Sequence, residues 1–308
     1  MSINKADGPD SITVEQRPDP SPGPGEVRIR VAAAGVNPSD PFIWRRIGSG
    51  PLQPPLTPGL DAAGTIDATG TDVDRLIVGD RVMAVVNARR PEGGAQAELV
   101  VVPAASVVPL ADSVDLTAAA TLPMTGLTAL EGLRLLDLAP GKTLAVTGGA
   151  GQLASYLIPL AKQRGLRVIA DAKPADEDFV TGLGTDHVVP RGTGFIDAVL
   201  QLVPGGVDAI FDTAALTRSV VPAIRDGGAI AVVRGWDDAD APGRDITVHA
   251  VSVGPAMQNT GWLELLAAEA ARGHLPLRVA GIYPPEAAVE AYTRMEAGGL
   301  RGRLVIAF

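Results

Sequence analysis

The sequence predicts an α/β protein in two parts, a doubly wound parallel sheet and a partly open β-barrel. Three observations carry this. The first 110 residues alternate short apolar strands with Gly/Pro turns. From about residue 112 strands alternate with helical segments, the pattern of a parallel sheet covered on both faces. A glycine-rich turn joins an apolar strand to an amphipathic helix near the middle of the chain. At 308 residues the chain is long enough for two domains. Their expected bounds are 1–112 with 275–308 for the barrel, and 113–274 for the parallel sheet.

The elements follow in order. Pro18 to Gly25 is too rich in proline and glycine to be helical. Glu26 to Val31 then alternates strictly, with Val27, Ile29 and Val31 on one face and Arg28 and Arg30 on the other, which predicts a half-buried strand. Further strands are expected at Gly64–Ile66, Arg81–Val86 and Ala97–Val102, and an irregular loop over the four prolines between Pro51 and Gly59. In the second part, strands are expected at Leu144–Val146, Val168–Ala170, Val188–Val189, Val207–Phe211 and Ala229–Val233. Leu153, Leu157, Leu160 and Ala161 recur at helical spacing, and Leu263–Ala271 reads as the last helix of this part. Strands return at Arg278–Ile282 and Arg303–Ile306 around a helix at Glu286–Met295, so the tail is expected to rejoin the barrel.

Composition narrows the function. With 35 acidic and 26 basic residues the net charge is −9. The basic residues are scattered, with only Arg45-Arg46 and Arg89-Arg90 as short clusters, so nucleic acid and anionic membrane are not expected partners. There is no cysteine, which removes disulfides, thiolate metal sites and a cysteine nucleophile. Three histidines far apart, His187, His249 and His274, do not make a histidine-rich metal site, and no metal is expected. The polar N-terminus has no signal-peptide core and no apolar run is long enough to span a membrane, so the expected location is the cytoplasm.

The glycine turn is the strongest chemical signal. Thr147-Gly148-Gly149-Ala150-Gly151-Gln152-Leu153-Ala154 contains G-x-G-x-x-A at Gly149, Gly151 and Ala154. Gly149 suits a tight turn, Gly151 lets backbone approach a pyrophosphate, and Ala154 is small enough for close helix–strand packing. The helix that starts here offers N–H groups and a positive dipole end to phosphates. Gly149, Ala150, Gly151, Gln152 and Leu153 are therefore dinucleotide-binding candidates. An acid about 20 residues on would select NAD. Asp171 stands near that point, Lys173 would suit a 2′-phosphate, and Arg191 could reach one as well. Strand alternation sends Asp171 and Ala172 opposite ways, and spacing alone does not say which faces the ribose.

At this point the chain resembles the zinc-independent quinone oxidoreductases of the medium-chain dehydrogenase/reductase superfamily. The resemblance rests on ordered segments along nearly the whole chain: Pro22-Gly23-Pro24-Gly25-Glu26-Val27, Ala34-Gly35-Val36-Asn37-Pro38-Ser39-Asp40, Pro58-Gly59-Leu60-Asp61-Ala62-Ala63-Gly64, Val78-Gly79-Asp80-Arg81-Val82, Leu122-Pro123-Met124-Thr125-Gly126-Leu127-Thr128-Ala129, the glycine turn, Leu183-Gly184-Thr185-Asp186-His187-Val188-Val189 and Gly302-Arg303-Leu304-Val305. It implies a GroES-like barrel, a Rossmann sheet, a homodimer or tetramer, and hydride transfer from NADPH to a quinone or enone, with NADH not excluded. A dedicated enoyl-thioester reductase and a non-catalytic NADPH-binding or redox-sensing protein are the alternatives. Asn37 and Thr125 match positions at the nicotinamide and substrate end and are the catalytic candidates; Asp40 is a candidate brace for the Asn37 loop, and Gly235 matches a loop that passes the nicotinamide. Zinc-dependent relatives carry cysteine where Asn37 stands and His-Glu where Leu60-Asp61 stands. Many relatives carry tyrosine where Phe42 and Arg191 stand, so Phe42 offers no proton and Arg191 keeps a 2′-phosphate contact possible.

Overall fold

A computed structural model describes residues 1–5, 8–45, 54–91, 93–237 and 242–308. Arg46 and part of the expected loop after Phe42 lie outside the described residues. In chain order the elements are β1 (Ser2–Ile3), β2 (Ile12–Thr13), β3 (Glu26–Val36), α1 (Pro41–Trp44), β4 (Asp61–Thr69), β5 (Arg81–Val85), β6 (Leu99–Pro103), β7 (Val107–Pro109), α2 (Leu116–Ala119), α3 (Pro123–Leu136), β8 (Thr143–Thr147) and α4 (Gln152–Gln163). They continue with β9 (Arg167–Ala172), α5 (Glu177–Gly182), β10 (His187–Pro190), α6 (Phe195–Leu202), β11 (Val207–Asp212), β12 (Ile224–Val232), β13 (Thr247–Ala250), α7 (Thr260–Ala271), β14 (Val279–Tyr283), α8 (Ala288–Glu296) and β15 (Arg303–Ala307).

The chain divides into two units, Met1–Met124 with Pro255–Phe308, and Thr125–Gly254. The first contains a seven-stranded sheet in the order β14-β15-β3-β4-β5-β7, with β6 also paired to β3. β3 organises it. One edge pairs with β4 throughout; the other takes β6 along Glu26–Arg30 and β15 along Ala33–Val36. Its alternation does what the sequence promises: Val27, Ile29 and Val31 are buried in one cluster with Ile66, Val82 and Val100. Each such side chain contributes about 1.5–3 kcal/mol on leaving water. The C-terminal tail joins this unit as expected, with β15 between β14 and β3. So does α7, which the sequence assigned to the parallel sheet. Its Asn259 cap accepts from the Trp262 N–H at 3.1 Å, and the Thr260 hydroxyl donates to the Ala105 carbonyl at 2.8 Å.

The second unit is a six-stranded parallel sheet in the order β10-β9-β8-β11-β12-β13. Numbering its strands from β8 gives 3-2-1-4-5-6, the doubly wound order. β8 is buried along its whole length, as a strand covered on both faces must be. In α4, Ala154, Leu157, Leu160 and Ala161 are buried, whereas Leu153 is half-buried at the first turn. The Ala229–Val233 run covers the end of β12, one strand in from the sheet edge. The edge is β13, whose two end residues, Thr247 and Ala250, are exposed.

Candidate functional site

In a doubly wound sheet the ligand crevice opens at the carboxyl ends of the strands where the order reverses. Here that point lies between β8 and β11. After Thr147 the chain turns through Gly148, which has φ +68°, and closes with a bond from Gly151 N–H to the Gly148 carbonyl at 2.8 Å. Gly149 passes so close to β9 that a Cβ would sit 2.5 Å from the Asp171 carbonyl. Gly151 is the N-cap of α4 and carries no side chain to satisfy the first N–H groups. Those groups and the helix dipole are what a pyrophosphate needs. Gly149, Ala150, Gly151, Gln152 and Leu153 thus come together on one turn. The Gln152 amide donates to Tyr156 at 2.5 Å, while its buried Oε1 has no partner among the described residues. The tight backbone, the uncapped helix start and this unmet acceptor fit a bound dinucleotide.

At the end of β9 the two neighbouring residues have different partners. Asp171 is buried and its Oδ1 accepts the Gly149 N–H at 2.9 Å, so the carboxylate braces the glycine turn. Burial pushes its carboxyl up, against the N–H groups of Gly149 and the charge of Arg191. Ala172 is buried too, and the Arg191 N–H donates to the Ala172 carbonyl at 3.1 Å. Lys173 and Arg191 therefore follow the ends of neighbouring strands, both exposed.

Sequence reasoning missed Asp212. This buried acid at the end of β11 accepts the Thr147 hydroxyl at 2.6 Å and the Thr217 N–H at 2.6 Å, and the Thr213 hydroxyl donates to the Thr147 carbonyl at 2.5 Å. The loop it ties holds Ala215 and Thr217 at φ 55° and 51°. For a β-branched residue that is a rare and costly conformation, so the clamp does more than close a turn. Gly235, at φ +80°, lies beside this loop; a Cβ there would be 3.4 Å from Thr217 Cγ2. An acid at a strand end followed by two threonines was the available signal.

In the first unit Asn37 follows β3 and is buried. Its N–H donates to Asp40 Oδ2 at 2.8 Å and its side-chain amide donates to Asp61 Oδ2 at 2.7 Å. Asp61 Oδ1 accepts the Met124 N–H at 2.5 Å. Asp40 Oδ2 also accepts the Tyr292 hydroxyl at 2.8 Å, and that hydroxyl accepts from Gln96 at 2.8 Å. Asp40 thus braces the Asn37 loop as expected, while its Oδ1 is buried without a partner among the described residues. Burial pushes Asp40 up to about 7 and Asp61 up to about 6, both opposed by the charge of Arg303. Thr125, at the start of α3, is buried and belongs to the second unit.

Two family models match the chain: "Alcohol dehydrogenase GroES-like domain" over residues 23–112 and "Zinc-binding dehydrogenase" over residues 183–306. The residues present do not fit zinc. The chain has no cysteine, the Asn37 amide nitrogen is engaged as a donor to Asp61, and Leu60 has no ligating atom. Among the described residues no three His, Asp or Glu side chains gather to hold a metal ion. A chloroplastic NADPH-dependent alkenal/one oxidoreductase of Arabidopsis thaliana is 32% identical over 66% of this chain and 53% of its own length. The chain spans about half the length of the first curated relatives it matches. A solved mycobacterial protein complexed with NADPH has a TM-score of 0.86 at 26% identity, covering 100% of this chain and 99% of that one. A trans-enoyl reductase of Aspergillus japonicus is 33% identical over 74% of this chain and 71% of its own length, and the chain belongs to the medium-chain dehydrogenase/reductase superfamily.

Proposed function

We propose that the protein is an NADPH-dependent, zinc-independent oxidoreductase that reduces a quinone or an α,β-unsaturated carbonyl. The observation that carries the cofactor choice is Asp171. Its carboxylate is spent on the Gly149 N–H, whereas Lys173 and Arg191 are exposed cations directly after β9 and β10. Bound NADPH would supply a hydride from its nicotinamide. The chain's own part is to hold and orient. Gly149 to Leu153 receive the pyrophosphate at the start of α4, and Lys173 and Arg191 meet the 2′-phosphate. Gly235 lets backbone pass the nicotinamide, and Asn37 and Thr125 donate to the acceptor's carbonyl oxygen as negative charge builds there. A conjugated acceptor delocalises that charge, so reduction needs no Lewis acid.

The likeness to a trans-enoyl reductase supports a second reading, reduction of an enoyl thioester. The test follows NADPH and NADH oxidation in parallel with 1,4-naphthoquinone, an enone and an enoyl thioester, each with chelator. NADPH consumption that survives the chelator is expected, and faster NADH consumption would overturn the cofactor choice. Turnover of the thioester alone would favour the second reading. Binding without turnover would favour a nucleotide-binding or redox-sensing role. The exposed edge of β13 supports a homodimer through paired sheets, and sedimentation as a monomer at micromolar protein would overturn that. The expected location remains the cytoplasm; among the described residues no helix is long and apolar enough to cross a membrane.

A further inference from the structure

Asp61 is buried on β4 and holds two partners at once. Its Oδ2 takes the Asn37 amide N–H at 2.7 Å and its Oδ1 takes the Met124 N–H at 2.5 Å. The first bond settles which way the Asn37 amide points, because the flipped amide would set its oxygen against a carboxylate. The nitrogen faces Asp61, so Oδ1 and the second N–H face elsewhere. The second bond anchors the residue that precedes Thr125. Gly35 makes space beside this carboxylate: a Cβ there would lie 3.2 Å from Asp61 Oδ2.

We infer that Asp61 is a positioning residue, whose carboxylate orients the Asn37 amide for the acceptor and fixes the chain leading into Thr125. This rests on the reading of Asn37 and Thr125 given above and deepens it. Charge at Asp61 matters because a carboxylate offers a strong acceptor to each of the two N–H groups, while a protonated carboxyl keeps only one oxygen free to accept. The charged groups that bear on it are Asp40, just after β3, and Arg303 on β15, with the Tyr292 hydroxyl of α8 acting through Asp40. Burial raises the Asp61 carboxyl to about 6, so both N–H bonds are at full strength above that pH and the grip on Asn37 and Met124 is weakened below it.

Two readouts test this on the full-length protein. The first is the pH dependence of the Asn37 side-chain amide signals in ¹⁵N-labelled protein, assigned with an Asn37→Ser variant. In the wild type these signals should move with a midpoint near pH 6, and Asp61→Asn should abolish that movement. The second is turnover of NADPH with an enone. Asp61→Asn should lower kcat at least tenfold above pH 7 while NADPH affinity stays within twofold, and wild-type kcat should fall toward the variant's below pH 6. If Asp61→Asn does not fold, the wild-type amide titration decides alone. Amide signals that ignore pH from 5 to 7, or an unchanged kcat in Asp61→Asn, overturn the positioning role. A wild type that titrates as expected yet reduces no acceptor overturns the functional reading, and with it the substrate-facing part of this inference.

Discussion

Replacing Asp40 by asparagine should make the protein more stable in alkali, not less. The wild-type carboxyl is fully buried; Oδ2 accepts from the Asn37 N–H and the Tyr292 hydroxyl, and Oδ1 has no donor among the described residues. Burial is the largest cause of its rise from 3.8 to about 7, the nearby Asp61 charge adds to it, and Arg303 opposes it. Between those two values the folded chain keeps a proton that the unfolded chain has released. Stability is therefore highest in acid, falls as pH rises through about 7, and levels off above. At about 1.4 kcal/mol per pH unit the whole fall amounts to about 4 kcal/mol. Asparagine keeps an oxygen for the two donors and has no proton to lose. At pH 5 variant and wild type should agree within about 1 kcal/mol, since the wild-type carboxyl is then protonated and both side chains are neutral. At pH 8 the variant should lead by about 2–4 kcal/mol. Urea midpoints at pH 5, 6, 7 and 8 measure the difference. A variant less stable than wild type at pH 8, or two parallel pH profiles, would refute the reasoning.

Two further outcomes concern the nucleotide site. Gly149→Ala places a Cβ 2.5 Å from the Asp171 carbonyl, so the turn must shift; NADPH affinity by fluorescence titration should fall at least tenfold with far-UV circular dichroism unchanged. Arg191→Ala and Lys173→Ala should each weaken NADPH binding about tenfold, the worth of about 1.4 kcal/mol, and leave NADH within twofold. Equal losses for both cofactors would show that neither cation meets the 2′-phosphate.

The elements with a clean period were legible. β3 alternates over Glu26–Val31, and β8, β9 and β11 are short apolar runs bounded by turns. The edge strand β13, Thr-Val-His-Ala, was not: it is short, half-polar and packs one face only. Nor was α3, which opens on Pro123 and contains Gly126 and Gly132. Its logic is tertiary. A Cβ at Gly132 would lie 2.1 Å from the Phe211 ring, so the helix tolerates a poor helix former in order to lie against β11. The site divides the same way. The glycine turn announces itself locally, but the bond from Gly149 to Asp171 spans 22 residues and that from Asp40 to Tyr292 spans 252, and no local pattern encodes either.

The place of β15, between β14 and β3, has a consequence during synthesis. The sheet of the second unit is complete once Ala250 has emerged from the ribosome, while β15 begins only at Arg303. At roughly 5–20 residues per second that gap lasts about 3–10 s. Through it the edge of β3 along Ala33–Val36 has no partner, and Asp40 has no tyrosine to bond. An apolar, unpaired strand edge is a template for pairing with other chains. The nascent protein is thus most in need of a chaperone at β3, the first-made strand of this sheet, and that need ends only when β15 arrives.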